Sequence, residues 1–332
     1  MIADKFVDLY ARNSGLRDKL IAERDVVLTY ALRALVDDGV MNHLAFKGGT
    51  CLRKLVFGSA GRFSEDLDFT MDSAEPDDDV LMRIVEVLSR EHFGITFTFD
   101  EYYKTDDDTS FGGDVLYRHS WNDVGRFRLQ VSLRERPTLP ATAQPMQHQA
   151  YFDRLEFPMF EVRALETIEM IAEKVRAAFQ RTKVRDLYDL HRFATKPFDG
   201  ELLRALVVLK LWQVRDPFVP DALFEKLRSG KYDWADLQRL LRTADRVEPH
   251  ELIATVERRF DVLRHLTELE RAAIADSRPD SCHYRRPRPR PSACSTSGRR
   301  SSTSSGAHTR RIAASGWPSG MSSRRRDSVT AP

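Results

Sequence analysis

The hydrophobic pattern divides the chain into a helical start, a central region of short alternating segments and a long helical second half. Apolar residues in positions 1–41 recur at spacings of three, four and seven, which predicts helix that ends at Gly39. The apolar run at 43–46 predicts a short strand, after which Thr50 is expected to cap a helix from 51 to about 57. The first unit is therefore strand, Gly-Gly turn and short helix.

The segment SEDLDFTMD follows and alternates with the period of two that a strand requires. Its apolar residues share one face, and its acids share the other. Beyond it we predict a helix over 79–91, strands over 95–103, 115–121 and 126–135, a loop at 137–149 and an extended segment at 160–165. From 166 to 272 the spacing is helical, with breaks near Lys183, 196–200, 217–220 and Gly230. The simplest architecture is therefore an α+β first half with a mixed sheet, followed by a helical half.

Charge is distributed very unevenly along the chain. The stretch from Ser277 onward holds twelve arginines, two aspartates and no lysine, which leaves 40 basic and 48 acidic residues before it. That stretch lacks periodicity, so we expect residues 276–332 to be a disordered Arg/Ser/Pro-rich tail, either one that contacts nucleic acid or an aberrant C-terminus such as a frameshifted read. The acidic body needs a local basic patch for any nucleic-acid binding.

Two classes of protein are not indicated. No apolar run is long enough for a membrane span, and the first residues lack the apolar segment of a secretion signal. Cys51 is the only cysteine in the well-patterned part, so no disulfide framework is implied and a cytoplasmic location is predicted.

Asp66 and Asp68 are the first candidates for catalysis. They stand two apart on a predicted strand, so both carboxylates leave the same face. Two converging carboxylates suit Mg²⁺ or Mn²⁺, which can bridge to nucleotide phosphates. Alternating acids on an exposed strand usually face water alone, so this pair needs support from its surroundings.

That support comes from Gly48, Gly49 and Thr50, which join a predicted strand to a helix N-terminus. Glycines allow positive φ and close backbone approach, while the free amides and the helix dipole favour an anion. An ordinary tight turn can have the same sequence. The order of GGT, helix and D-x-D strand nevertheless favours a phosphate site beside a metal.

Three further side chains near this strand are candidates with less specific signals. Ser64 lies on the same strand face and could touch a phosphate or ribose, or be only a strand-start hydroxyl. Arg53 and Arg62 could neutralise phosphate charge, although lone arginines more often lie at the surface or pair with aspartates.

The string FKGGTCLRKLVFGSAGRFSEDLDF at 46–69 resembles the AbiEii/AbiGii nucleotidyltransferase toxins, which include mycobacterial relatives that act on tRNA. Their pattern continues with a lysine on a helix and then an R-D-x-x-D segment, and ETIEMIAEKVRAAFQRTKVRDLYDL at 166–190 contains both. The resemblance covers about residues 1–275. It implies a polymerase-beta-type nucleotidyltransferase domain at 1–160 and a helical domain at 161–275 that completes the active site.

The resemblance also implies roles for the second motif. Lys174 would bind the triphosphate, Asp186 would join the catalytic acids, and Arg185 and Asp189 would organise the site. Lys174, Arg181 and Arg185 fall near one helical face, while Asp186 and Asp189 share a face at i, i+3. The alternative is a solvated helix with an Arg185–Asp189 pair.

One departure concerns the third carboxylate that polymerase-like nucleotidyltransferases often place on a later strand. The candidate strand offers Gln130 and Ser132 on its polar face, and only Glu135 as an acid near its end. We therefore expect Asp186 to supply the extra carboxylate, which leaves the number of metals open.

These features predict an enzyme that transfers an NMP from an NTP to an acceptor and releases pyrophosphate. The resemblance implies a toxin of a type IV-like toxin–antitoxin or phage-defence system, with tRNA 3′ ends as the acceptor class and a cognate antitoxin as partner. Two alternatives stay open: transfer to a protein or small-molecule hydroxyl, and a nucleotide-binding regulator without turnover. Seven basic residues could form the RNA patch: Arg126, Arg128, Arg134, Arg136, Arg176, Arg181 and Lys183.

Overall fold

A computed structural model describes residues 3–105 and 108–277, and the predicted tail lies outside the described residues from 278 onward. The strands, in chain order, are β1 Leu44–Lys47, β2 Asp66–Met71, β3 Glu91–His92, β4 Ile95–Lys104, β5 Ser110–His119, β6 Asn122–Ser132, β7 Thr142–Pro145 and β8 Glu161–Ala164. The helices are α1 Asp4–Asn13, α2 Lys19–Asp37, α3 Gly48–Cys51, α4 Asp77–Val87, α5 Thr167–Gln180, α6 Val184–Ala194, α7 Gly200–Gln213, α8 Pro220–Ser229, α9 Trp234–Gln238, α10 Pro249–Arg259 and α11 Glu268–Asp276.

The strands form one mixed sheet in the order β3-β4-β5-β6-β2-β1-β8-β7. β2 lies at its centre, antiparallel to β1 and parallel to β6, and β1 is in turn parallel to β8. The predicted α+β class is therefore confirmed. β8 lies just beyond residue 160, where the domain boundary was predicted, and that boundary stays a prediction.

Alternation in β2 decides which side of the central strand is core. Leu67 and Phe69 are fully buried on one face, so the intervening acids leave the other face. α2 and α4 contribute buried apolar side chains to the core on this side. The polar face of β2 points toward the helical half, which begins with α5.

Several predicted boundaries differ from the structure. The helical pattern of the first 41 residues is divided between α1 and α2, and the segment predicted as a loop at 137–149 contains the edge strand β7. β5 begins at Ser110, ahead of the strand predicted over 115–121. Within the described residues, none of the helices combines the length and the apolarity that a bilayer crossing requires.

The helix after β1 starts earlier than predicted. α3 begins at Gly48, so Thr50 lies in its first turn and does not cap it. The segment then continues as a π-helix over Leu52–Phe57. Its wider turn carries Arg53 and Lys54 to one buried aspartate, Asp25.

Candidate active site

Asp66 and Asp68 lie on one face of the central strand and line a cleft between the sheet and α5–α6. Neither has an ion-pair partner among residues 3–105 and 108–277. Burial, together with the charges of Asp68 and Glu65, raises the pKa of Asp66 to about 6. Burial also raises the pKa of Asp68, although Lys174 acts against it. Two carboxylates thus share one strand face, and neighbouring cations compensate their charge only in part.

The chain at Gly48 comes so near to this pair that no side chain fits. Gly48 has a φ of +80°, and a Cβ there would lie 2.3 Å from Oδ2 of Asp68. A Cβ on Gly49 would lie 2.4 Å from Nη2 of Arg62 and 3.0 Å from Oγ of Ser64. The main chain at the helix N-terminus therefore lies directly against the side chains of Asp68 and Arg62, which is the close backbone approach that the GGT motif predicted.

Two of the other predicted residues are used elsewhere. The hydroxyl of Thr50 donates to the main-chain carbonyl of Asp66, and its side chain is buried. Arg53 does not line the cleft, because its guanidinium forms a buried pair with Asp25, at 3.0 Å from Nε to Oδ1. The expectation that the Arg53 side chain neutralises phosphate charge is corrected on this basis. Ser64 does line the cleft.

The second motif forms four acid–base contacts at the cleft, and one of them, Arg62–Asp189, joins it to the first motif. Nζ of Lys174 lies 3.0 Å from Oδ1 of Asp186 and 3.0 Å from Oδ2 of Asp189. Arg181 bonds the other oxygen of Asp186 at 2.8 Å, and Arg62 holds Asp189 with two hydrogen bonds of 3.0 and 2.9 Å. Burial alone would raise the pKa of Asp186, but Lys174 and Arg181 outweigh it and lower the pKa to about 2.

This arrangement depends on the break in the helical pattern that the sequence predicts near Lys183. Residues 166–190 form two helices, since α5 ends at Gln180 and α6 starts at Val184. The turn between them brings Arg181 back onto Asp186. The expectation of one continuous helical face is therefore wrong.

Arg185 does not pair with Asp189, in contrast to the alternative considered for a solvated helix. It forms two hydrogen bonds to Asp236, at 2.7 and 3.0 Å, and lies 3.8 Å from Glu65. Glu65 also accepts hydrogen bonds from Arg24 and Arg239, at 2.6 and 2.8 Å. Glu65 thus joins the strand of Asp66 to α2, α6 and the end of α9, a role that no sequence signal indicated.

The cleft has two connected lobes of about 300 and 360 Å³. Asp68, Gln130, Lys174, Arg181 and Asp186 line both. The larger lobe also contains the predicted phosphate and metal residues, and these are Gly49, Arg62, Ser64 and Asp66. The smaller lobe adds apolar walls from Leu52, Met170 and Ala177. A nucleotide-sized site with one charged and one partly apolar end results.

The third strand carboxylate is replaced by an amide. Gln130 is the residue that β6 places directly beside Asp68. Glu135 is buried away from the acids, 2.6 Å from Arg176 and 3.6 Å from Lys210. In the described part of the chain, no group of three or more His, Cys, Asp or Glu side chains is arranged to hold a metal.

Asp66 and Asp68 alone nevertheless fit a magnesium ion. Mg²⁺ is usually held by one or two carboxylates, while substrate phosphates and water complete its shell. The raised pKa values reflect two buried like charges without an ion pair in the described residues, and a divalent cation would neutralise them. The donor set therefore agrees with the predicted Mg²⁺ or Mn²⁺.

The seven predicted patch residues do not form one patch. Arg126 and Arg128 are exposed on β6, and Arg181 and Lys183 lie across the larger lobe. Arg176 is buried against Glu135, so it cannot belong to a surface patch. The remaining two, Arg134 and Arg136, line a neighbouring cleft of about 780 Å³, and Arg134 also lines the smaller lobe.

Comparisons with known proteins agree with this geometry. A family model described as the nucleotidyl transferase AbiEii toxin of a type IV TA system matches residues 30–262. Among solved structures, MenT4, a nucleotidyltransferase toxin from Mycobacterium tuberculosis H37Rv, matches with a TM-score of 0.71 and 26% identity, over 83% of this chain and 94% of that chain. No match was found among curated protein sequences.

Proposed function

The chain belongs to the AbiEii family of nucleotidyltransferase toxins of type IV toxin–antitoxin systems, and on that premise we propose that it transfers an NMP from an NTP to the 3′ end of a tRNA. The family membership confirms the resemblance and the enzyme class predicted from the two motifs, and it implies an NTP substrate and an antitoxin partner. The observation that carries the proposal is the pair Asp66 and Asp68, which faces a nucleotide-sized cleft without a cation partner in the described residues.

In this proposal Asp66 and Asp68 hold Mg²⁺ or Mn²⁺. The bound ion supplies charge neutralisation on the transferred phosphoryl group. The amides that follow Gly48 and Gly49 approach the phosphates from the helix N-terminus, where negative charge is favoured. Ser64 lies close enough to the same lobe to contact a phosphate or ribose oxygen.

Lys174 contributes the positive charge that meets the triphosphate. Asp186 and Asp189 hold its ammonium from two sides, which fixes its position before nucleotide binds. A carboxylate with a pKa of about 2 is a poor proton acceptor at neutral pH. We therefore assign Asp186 to positioning Lys174 and Arg181, and not to accepting the proton of the acceptor hydroxyl.

Arg62 and Arg185 act in this proposal through other residues. Arg62 neutralises Asp189 and borders the larger lobe. Arg185, held by Asp236, supports Glu65 and so the start of β2. A tRNA acceptor would also place the activity in the cytoplasm, where tRNA is found.

The test is incubation of the protein with each labelled NTP, total tRNA and Mg²⁺. We expect label on tRNA from the wild type and from Asp79→Ala, which changes an exposed aspartate on α4. Asp66→Ala should reduce labelling by about 100-fold or more. Equal labelling by Asp66→Ala would refute the site. Label on protein or a small molecule instead of tRNA would favour the first alternative, and nucleotide binding without pyrophosphate release would favour the regulator.

A further inference from the structure

The sheet face that carries the acids continues beyond the cleft. In register across the strands, Asp68 is followed by Gln130 on β6, Gly112 on β5 and Tyr103 on β4. Neighbours paired in this way point to the same side of a sheet. Tyr103 therefore stands at the far end of the row that begins with Asp68.

A second and a third row run beside the first. In the second row, Asp66 is followed by Arg128 on β6 and Asp114 on β5. In the third row, Arg126 on β6 is paired with Leu116 on β5. The side chains of Arg126 and Arg128 are 70% and 61% exposed. The open face of β4–β6 is defined here by Tyr103, Asp114, Leu116, Arg126 and Arg128.

The other side of the same strands is core. Phe127, Leu129 and Val131 of β6 are buried, as are Val115 and Tyr117 of β5. The sheet therefore has one packed face and one face left to solvent, in the usual manner of an antiparallel region. The solvent face begins directly at the proposed metal ligands.

Tyr103 reaches this face because of a local irregularity in β4. The register shifts between Asp100 and Tyr103, and Glu101 has a φ of +42°. Bulges of this kind re-aim side chains next to functional sites. A Cβ on Gly112 would lie 3.1 Å from the Tyr103 hydroxyl and 3.1 Å from Cα of Gln130. The missing side chain of Gly112 thus leaves room for Tyr103 beside Gln130.

The charge of the open face is opposite to that of the body. Arg126 and Arg128 share one acid, Asp114, at 3.9 and 3.4 Å. The register puts two more charged residues on this side, Asp100 and Arg118, so three arginines face two aspartates and the group keeps a net positive charge. The chain before Ser277 is acidic, with 40 basic and 48 acidic residues. A polyanion is therefore attracted to this face more than to the average surface.

We propose that the open face binds the single-stranded 3′ end of the acceptor RNA. Arg126 and Arg128 contact successive phosphates, and the ring of Tyr103 stacks on a base near the terminal hydroxyl. A row of strands with an aromatic residue and flanking arginines suits an unpaired strand, whose bases are free to stack. The inference rests on the proposed function for the class of acceptor, and it adds the surface that receives it.

The test measures RNA binding without catalysis. A labelled single-stranded RNA with a free 3′ hydroxyl is titrated with the full chain, without NTP, at several salt concentrations. We expect Tyr103→Ala to weaken binding by roughly tenfold, while Tyr103→Phe, which keeps the ring, binds like wild type. Arg126→Ala should reduce the magnitude of the salt slope by about 0.7, the value for one lost phosphate contact on a single strand.

Arg12→Ala is the matched control, since Arg12 is 74% exposed on α1 and also pairs with one aspartate. It should leave both affinity and salt slope unchanged. If Tyr103→Ala and Arg126→Ala both bound the RNA with the affinity of the wild type, the proposal would be overturned. Failure of the wild type to bind the RNA would also overturn it. Loss of antitoxin binding with unchanged RNA binding would assign the face to a protein and also overturn it.

Failure of the proposed function has a different signature. If the wild type labels no acceptor while RNA binding still depends on Tyr103 and Arg126, the proposed RNA surface is supported and the proposed reaction is refuted. If the wild type and both variants label tRNA at equal rates, the proposed reaction is supported and the proposed RNA surface is refuted.

Discussion

Gly48→Ala tests most directly whether close backbone approach creates the site. Its φ of +80° costs an alanine about 1–2 kcal/mol. In addition, the new Cβ would lie 2.3 Å from Oδ2, 2.8 Å from Cβ and 2.9 Å from Cγ of Asp68. Relief requires the carboxylate to move by about 1 Å to reach van der Waals contact, and a displacement of this size can cost roughly 100-fold in rate.

Gly39 offers a control in the same chain. Its φ is +73°, and the only atom near an added Cβ is Nδ2 of Asn42 at 3.4 Å. Gly39→Ala therefore has the backbone strain of Gly48→Ala without the clash. Urea unfolding should show a loss of about 1–2 kcal/mol for Gly39→Ala and at least as much for Gly48→Ala.

The assay is the rate of pyrophosphate release with NTP, tRNA and Mg²⁺, normalised to folded protein. Gly39→Ala should retain the wild-type rate, and Gly48→Ala should lose about 100-fold. If Gly48→Ala is folded and equally active, the reasoning that links Gly48 to the position of Asp68 is wrong.

Three other substitutions separate stability from chemistry. Asp25→Ala leaves Arg53 and Lys54 buried without their acid, so unfolding free energy should fall by about 3–5 kcal/mol in urea titrations. Folding raises the pKa of Asp66 from 3.8 to about 6, so the unfolding free energy of the wild type falls as pH rises through this window. Without divalent cations, the unfolding free energy of Asp66→Asn should therefore be higher than that of the wild type by up to ~3 kcal/mol near neutral pH. Below about pH 4 the two proteins should be equally stable. Lys174→Ala should lower pyrophosphate release by about 100-fold or more.

Each of these has a control and an opposing outcome. Asp37→Ala removes an exposed pair with Arg33 and should cost less than about 1 kcal/mol, so an equal loss from Asp25→Ala would contradict its buried role. Added Mg²⁺ should stabilise the wild type but not Asp66→Asn, and a pH-independent difference between them would exclude the raised pKa. Lys231→Ala, at an exposed lysine, should keep full activity.

The parts of the site that depend on local geometry were predictable from sequence. Alternation places Asp66 and Asp68 on one face whatever the rest of the chain does, because a strand has a period of two. The same holds for the backbone approach at Gly48, since glycine tolerates the positive φ that the turn requires.

Partners distant in sequence were not predictable in this way. Arg53 stands in the first motif and has the charge to meet phosphate, but its acid lies 28 positions earlier on α2. Lys174, Arg181 and Arg185 were placed on one helical face by steps of seven and four, although a break was predicted near Lys183, because the spacing cannot show how the chain turns at that break. Both errors come from tertiary contacts that override a local pattern.

The position of Glu65 affects how loss-of-function variants of this toxin are interpreted. A selection that scores survival of cells expressing the toxin would recover substitutions at Glu65 and at Asp66 alike. Substitutions at Glu65 would be recovered because Glu65 forms ion pairs with three arginines from separate parts of the chain. Substitutions at Asp66 would be recovered because Asp66 faces the cleft. Two adjacent positions would thus give one phenotype for different reasons, and only a measurement of folded protein in the surviving cells would tell them apart.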